Sequence, residues 1–175
     1  MNRWLLILFL VVFVGGASVY AYLGGFKQPE VALTTVPQPI YLAGQHFKGR
    51  ADSPGFGPMF RQAQQIKSSG QLHGDLGNIY YNDPDAASDS LKAFIGLVVA
   101  DTTSQKLPAG FHYTTFFTQQ QVVRARIEAS YMVAPGKLYE GVKEYAKRHN
   151  LKLLQVYLER FPDTGANEVI AVVGI

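Results

Sequence analysis

PGKLYEGVKEYAKRHNLKLLQVYLERFPDTGANEVIAVVG, residues 135–174, reads as one helix followed by two strands. Pro135 opens the helix at a position where its missing N–H costs little. Leu138, Tyr139, Val142, Tyr145 and Ala146 recur at helical spacing and give it one apolar face. Lys143, Lys147, Arg148 and His149 gather toward its C-terminus, where cations suit the helix dipole. Leu151 to Arg160 is then a strand, Phe161-Pro162-Asp163-Thr164-Gly165 a turn, and Glu168 to Gly174 the last strand.

The same order occurs upstream. Gln121 to Glu128 is the strand that precedes the helix, and Phe111 to Phe117 is another before it. In the first half, Ile40 to Lys48 is a strand and Asp52-Ser53-Pro54-Gly55 a turn. Met59, Phe60, Ala63 and Ile66 lie at helical spacing within Met59 to Lys67, and Ser68-Ser69-Gly70 stops that helix. Leu76 to Asn82 is a strand closed by Asn82-Asp83-Pro84-Asp85; Lys92 to Ala100, apolar and β-branched, is a buried strand. Val31 to Val36 is a lead-in strand, with Pro37 and Pro39 bracketing a break.

The chain therefore shows strand–helix–strand–strand twice, over 40–100 and 121–174. A helix alternating with antiparallel hairpins implies an α+β fold with helices on one face of a sheet. Two such units side by side form one curved antiparallel sheet with two helices, and the groove between the halves is the natural ligand cleft.

The N-terminus differs in kind. Trp4 to Leu23 (WLLILFLVVFVGGASVYAYL) contains no charge, no Asn or Gln and no proline. At about 1.5 Å per residue it spans roughly 30 Å, the hydrocarbon thickness of a bilayer. Twelve of its residues are Leu, Ile, Phe or Val, so mid-membrane insertion gains roughly 5 kcal/mol. Trp4 at one end and Tyr20 and Tyr22 at the other suit the headgroup layers. The alternative is a signal peptide, with Met1-Asn2-Arg3 as its basic region, Trp4 to Val14 as its core and Val19-Tyr20-Ala21 as its cleavage site. The unbroken apolar run favours a transmembrane helix. Arg3 biases the N-terminus inside and the domain outside. The expected organisation is an anchor over 1–24, a linker and lead-in strand over 25–38, and a domain over 39–175, single-pass in the membrane.

Composition removes several chemistries. There is no cysteine, which excludes disulfides, thiol nucleophiles and zinc fingers. The net charge of +3 is dispersed, without the basic run that a phosphate backbone needs, so nucleic acid is not an expected partner. His46, His73, His112 and His149 lack metal-ligand spacing, and no serine sits in a Gly-x-Ser-x-Gly elbow. No cofactor or metal is expected.

Ile79-Tyr80-Tyr81-Asn82-Asp83-Pro84-Asp85 followed by an apolar strand, then Gln121-Val122-Val123, Ser130-Tyr131, the helix from Pro135 and Leu153 to Leu158, resembles GyrI-like domains in order and spacing. These are also called bacterial transcription activator effector-binding domains. The resemblance covers roughly 39–175. The layout of anchor, short linker and domain is also similar to that of the testis-expressed ER-phagy receptors of animals. Those continue into a tail carrying an adaptor motif, so the receptor role is not carried over. Where the family's regulators place DNA-binding helices, this chain has the apolar segment, and no direct transcriptional role is expected.

The resemblance implies an aromatic-lined cleft with a glutamate on the penultimate strand, two residues before a tyrosine. That carboxylate attracts cationic aromatic ligands in drug-sensing members and assists hydrolysis of cyclopropane-bearing toxins in others. The matching positions here are Gln155 and Tyr157, which share a face by strand parity. Glutamine cannot carry the charge. Glu159, also on that face, could supply a displaced carboxylate, but beside Arg160 it reads more simply as a solvated strand end. Tyr80 and Tyr81 point to opposite faces, so at most one lines the cleft, and Tyr131 could close it.

The expected ligand-binding set is thus Tyr80, Tyr81, Tyr131, Gln155, Tyr157 and Glu159. The leading function is a membrane-anchored, non-catalytic module for a small apolar or aromatic ligand. A hydrolase of electrophilic small molecules, or a scaffold that binds a protein partner, are the alternatives.

Overall fold

A computed structural model of the chain describes residues 3–50, 52–84 and 90–174. Met1, Asn2 and Asp85, named in the expectations above, and position 175 at the end of the expected domain lie outside these residues.

The apolar run forms helix α1 (Arg3–Tyr22), none of whose residues is buried. It is long and apolar enough to cross a membrane. Its end is a Schellman turn. Gly24 adopts φ 79°, its N–H donates to the Ala21 carbonyl at 3.0 Å, and the Gly25 N–H donates to the Tyr20 carbonyl at 2.8 Å. Gly24 and Gly25 thus set the direction in which the chain leaves the helix.

The remaining elements are β1 (Glu30–Thr35), β2 (Ile40–Gly49), α2 (Phe56–Ser68), β3 (Asp75–Tyr80), β4 (Leu91–Val99), β5 (His112–Phe116), β6 (Gln121–Ile127), α3 (Ala134–Arg148), β7 (Lys152–Phe161) and β8 (Asn167–Gly174). The α2 helix starts at Phe56, ahead of the expected Met59, because Gly57 and Pro58 fit its first turn. There a proline's missing N–H leaves no bond unmade.

The strands form one antiparallel sheet in the order β1-β6-β8-β7-β3-β4-β2-β5. The two repeats, β2-α2-β3-β4 and β6-α3-β7-β8, meet at the central β3–β7 pair, and each half reads outward in the same sequence. The repeat helices also stop alike. Gly70 (φ 71°) and Asn150 (φ 53°) turn the chain, while Gln71 and Leu151 return N–H bonds to Ile66 and Ala146.

Both helices pack on one face, over a core that includes Ile95, Val123, Leu138, Val142, Tyr157 and Ala171. On the other face Leu42, Phe94, Ile79, Leu158, Ile170 and Val122 share a second core. Strands of both halves meet there, which requires the sheet to curl. Gly44 opposite Gly96 permits the close approach of β2 and β4, since a Cβ on either would collide with the facing backbone.

Candidate functional site

The seam between the repeats runs along β3 and β7, with α2 and α3 on either side. Residues Leu76, Asn78 and Tyr80 alternate onto the helix side of β3, and Glu159 and Phe161 onto the same side of β7. Together with Phe60 and Gln64 of α2 and Pro135 of α3 they line a cleft of about 630 Å³. The β6–α3 loop and the β7–β8 turn form its rim through Ser130, Tyr131, Pro162 and Asp163. A second hollow of about 610 Å³ opens beside α3, over Tyr139 and Lys143, and shares Pro135 and Glu159 with the cleft.

Glu159 is the central group. It is 6 % exposed, and its Oε2 accepts a hydrogen bond from Asn78 Nδ2 at 3.0 Å. Asn78 is 3 % exposed and directly opposite in register. The Tyr80 hydroxyl also bonds the carboxylate; burial first, then that negative charge and hydrogen bond, push its pKa far above the usual tyrosine range. Tyr139 is pushed up in the same direction, by burial foremost and then by Glu159 and Tyr80. Its hydroxyl lies near Glu159 but outside good hydrogen-bond geometry, and is a buried group without a hydrogen-bond partner among the described residues. The Tyr139 ring packs on Tyr157, with centroids 5.3 Å apart and planes at 56°.

A buried carboxylate ringed by phenols can bind in a definite way. The phenols keep their protons and act as donors, and the aromatic faces offer π-surface to a cation. Acid–base chemistry would also need a proton acceptor within reach of a substrate, and Glu159 is the group so placed.

The structure brings Tyr80 and Glu159 to the cleft, sets Tyr131 at the rim, 72 % exposed, and buries Tyr157 in the core against Tyr139, outside the cleft lining. It separates Tyr81 and Gln155 from them. Tyr81 points away, as the opposite parity to Tyr80 requires, and is exposed. Gln155 does not share a face with Tyr157, contrary to the strand-parity expectation. It adopts φ 61° within a β-bulge: Leu153 pairs with Val173 and Tyr157 with Ala171, so β7 advances four residues where β8 advances two. The bulge leaves the Gln155 side chain in solvent. Glu159 is likewise not a solvated strand end. Arg160, on the other parity, takes the solvent side and pairs with Asp75 at 2.7 Å.

Two site residues escape the sequence reading. Tyr139 is indistinguishable from core filler on an apolar helix face. Asn78 carries a signal, because a polar residue between Leu76 and Tyr80 on the inward parity of a strand is unusual.

No family model matches the sequence, and no curated protein matches it. Solved structures do. An integron cassette protein from the mobile metagenome of Vibrio cholerae aligns with a TM-score of 0.60 at 9 % identity, covering 84 % of this chain and 98 % of that one. The C-terminal domain of EcmrR aligns at 0.55 and 12 % identity, covering 85 % of this chain and 99 % of that one. EcmrR in its DNA complex aligns at 0.56 and 13 % identity, covering 98 % of this chain and 69 % of that one. At these identities the likeness shows a shared fold and nothing of role.

Proposed function

We propose that residues 39–175 are a small-molecule-binding module tethered to a membrane by residues 1–24 through the segment 25–38, and that its ligand is aromatic or apolar with a positive charge. The observation that carries this reading is the burial of Glu159 among Tyr80, Tyr139 and Asn78 in an open cleft. A carboxylate buried beneath aromatic faces at an open cleft offers an entering cation both a counter-charge and π-surface. The open volume favours a ligand over a purely structural, protein-binding role. The GyrI-like fold of effector-binding neighbours supports small-molecule binding in the same direction.

The inward orientation of Glu159 also favours a second reading. As a general base toward an electrophilic small molecule, the same carboxylate would make this a hydrolase.

A thermal-shift screen of the full-length chain in detergent, with aromatic cations paired against neutral isosteres, tests the proposal. Cations are expected to raise the unfolding temperature more than their neutral partners, by mass action on the native state. Equal shifts for both members of every pair would contradict a charge-selecting cleft. Slow conversion of an electrophilic ligand, lost in Glu159→Gln, would move the assignment to the hydrolase.

A further inference from the structure

The loop between β6 and α3 has two sides. On one, Ala129, Ser130 and Tyr131 line the cleft. On the other, it holds the end of α1. The Ser130 N–H donates to the Leu23 carbonyl at 2.9 Å, and Lys27 Nζ lies 3.9 Å from Glu128. Gly24 packs so closely on the loop that a Cβ there would sit 2.8 Å from the Ala129 Cβ. Asn167 Nδ2, itself at the cleft, secures the loop by donating to the Ala129 carbonyl at 2.5 Å. A single thickness of chain thus separates the last turn of the apolar helix from the cleft mouth.

The side chains around this junction are of one kind. Tyr22 and Phe26 on the α1 side, and Tyr131 and Met132 on the loop, are all largely exposed. Single exposed apolar residues are ordinary, but these flank a helix that is apolar on every side and buried nowhere. Such a helix finds its solvent in lipid. A bilayer that takes α1 as far as Tyr22 places Leu23, and the loop bonded to it, at the headgroup layer, where aromatic rings are favoured.

We propose that the domain sits with its cleft mouth against the membrane surface and draws its ligand from the bilayer. The ligand is then an amphiphile whose cationic, aromatic end reaches Glu159 while its tail remains in lipid. This rests on the ligand-binding reading above and adds the source and shape of the ligand. It also gives the fixed α1–loop contact a purpose: a free linker would let the cleft turn away from the membrane.

The test uses the full chain in phosphatidylcholine vesicles. Trp4 is the sole tryptophan. In a Trp4→Phe background, Tyr131→Trp reports on the loop and Lys152→Trp on the opposite end of β7, where Lys152 pairs with Gly174, about 23 Å along β8 from Asn167 beside the loop. Lipids brominated near the headgroup are expected to quench the tryptophan at 131 strongly and the one at 152 hardly at all. Equal, weak quenching at both sites would overturn the membrane seating. Protein-dependent uptake of benzyldimethylalkylammonium cations, against protein-free vesicles, then tests supply from lipid. The dodecyl member is expected to saturate at a total concentration at least about tenfold below the ethyl member, and Glu159→Gln to abolish uptake of both. Equal midpoints would sink supply from lipid and leave the ligand-binding reading standing. If neither cation binds, both fall.

Discussion

Asn78 and Glu159 face each other across the β3–β7 pairing at the centre of the eight-stranded sheet, with the amide nitrogen 3.0 Å from the carboxylate. One repeat supplies the charge and the other the group that holds it. The site therefore exists only when the two halves are assembled, and its centre lies where the duplication closes on itself.

That relationship makes Asn78→Asp a sharp probe. Two carboxylates would then face each other in a buried site, raising the folded-state pKa of the pair. Stability is full below the unfolded carboxylate value near 4 and is lost as pH rises through the raised value. Urea titrations are expected to show a loss of about 2 kcal/mol or more at pH 7 that shrinks toward pH 4. A loss independent of pH would contradict the facing geometry.

At Gln155 the strained backbone and the solvent-facing side chain separate two effects. Gln155→Gly is expected to stabilise the fold by about 0.5–1 kcal/mol, since glycine adopts positive φ freely. Gln155→Glu is expected to leave cation binding unchanged. A Gln155→Glu variant that gains cation affinity would place this residue in the cleft after all.

The two phenols near Glu159 differ in what their hydroxyls do. Tyr80→Phe removes a hydrogen bond to a buried carboxylate and is expected to cost about 1.5–3 kcal/mol. Tyr139→Phe removes an unpartnered buried hydroxyl and is expected to be neutral or stabilising. Both phenols have raised folded-state pKa values, so both contribute stability that is full below the unfolded tyrosine value near 10 and falls as pH rises above it. Chemical denaturation from pH 9 to 11 is expected to show a shallower decline in Tyr139→Phe than in the parent. Identical slopes would argue against its burial beside Glu159.

Gly24 joins α1 to the domain. Gly24→Ala combines an unfavourable positive φ, at about 1 kcal/mol, with a collision against Ala129. Hydrogen exchange at the Ser130 amide is expected to speed by about tenfold, without loss of the β3–β7 core. Unchanged exchange would mean that the helix end does not hold the loop.

Most of the fold is legible in the residues. Alternation marks the strands, helical spacing marks α2 and α3, and the order repeated on either side of residues 101–120 implies one sheet built from two units. The site is less legible because it hangs on one local departure from regularity. Strand parity is a sound rule until a residue such as Gln155 takes positive φ, and no residue type at that position announces the bulge. Glu159 next to Arg160 reads as surface because burial of a carboxylate depends on partners from β3 and α3, far away in the chain. Tyr139 and Asn78 enter the site only through the pairing of the two repeats.

The most direct test of the central claim is calorimetric titration of one aromatic cation into the detergent-solubilised full chain and into Glu159→Gln. The expected result is saturable binding to the parent and an affinity lower by about tenfold or more in the variant, with the neutral isostere of the same ligand insensitive to the change. Equal affinity of the cation for both proteins would contradict the assignment of Glu159 as the group that selects the ligand.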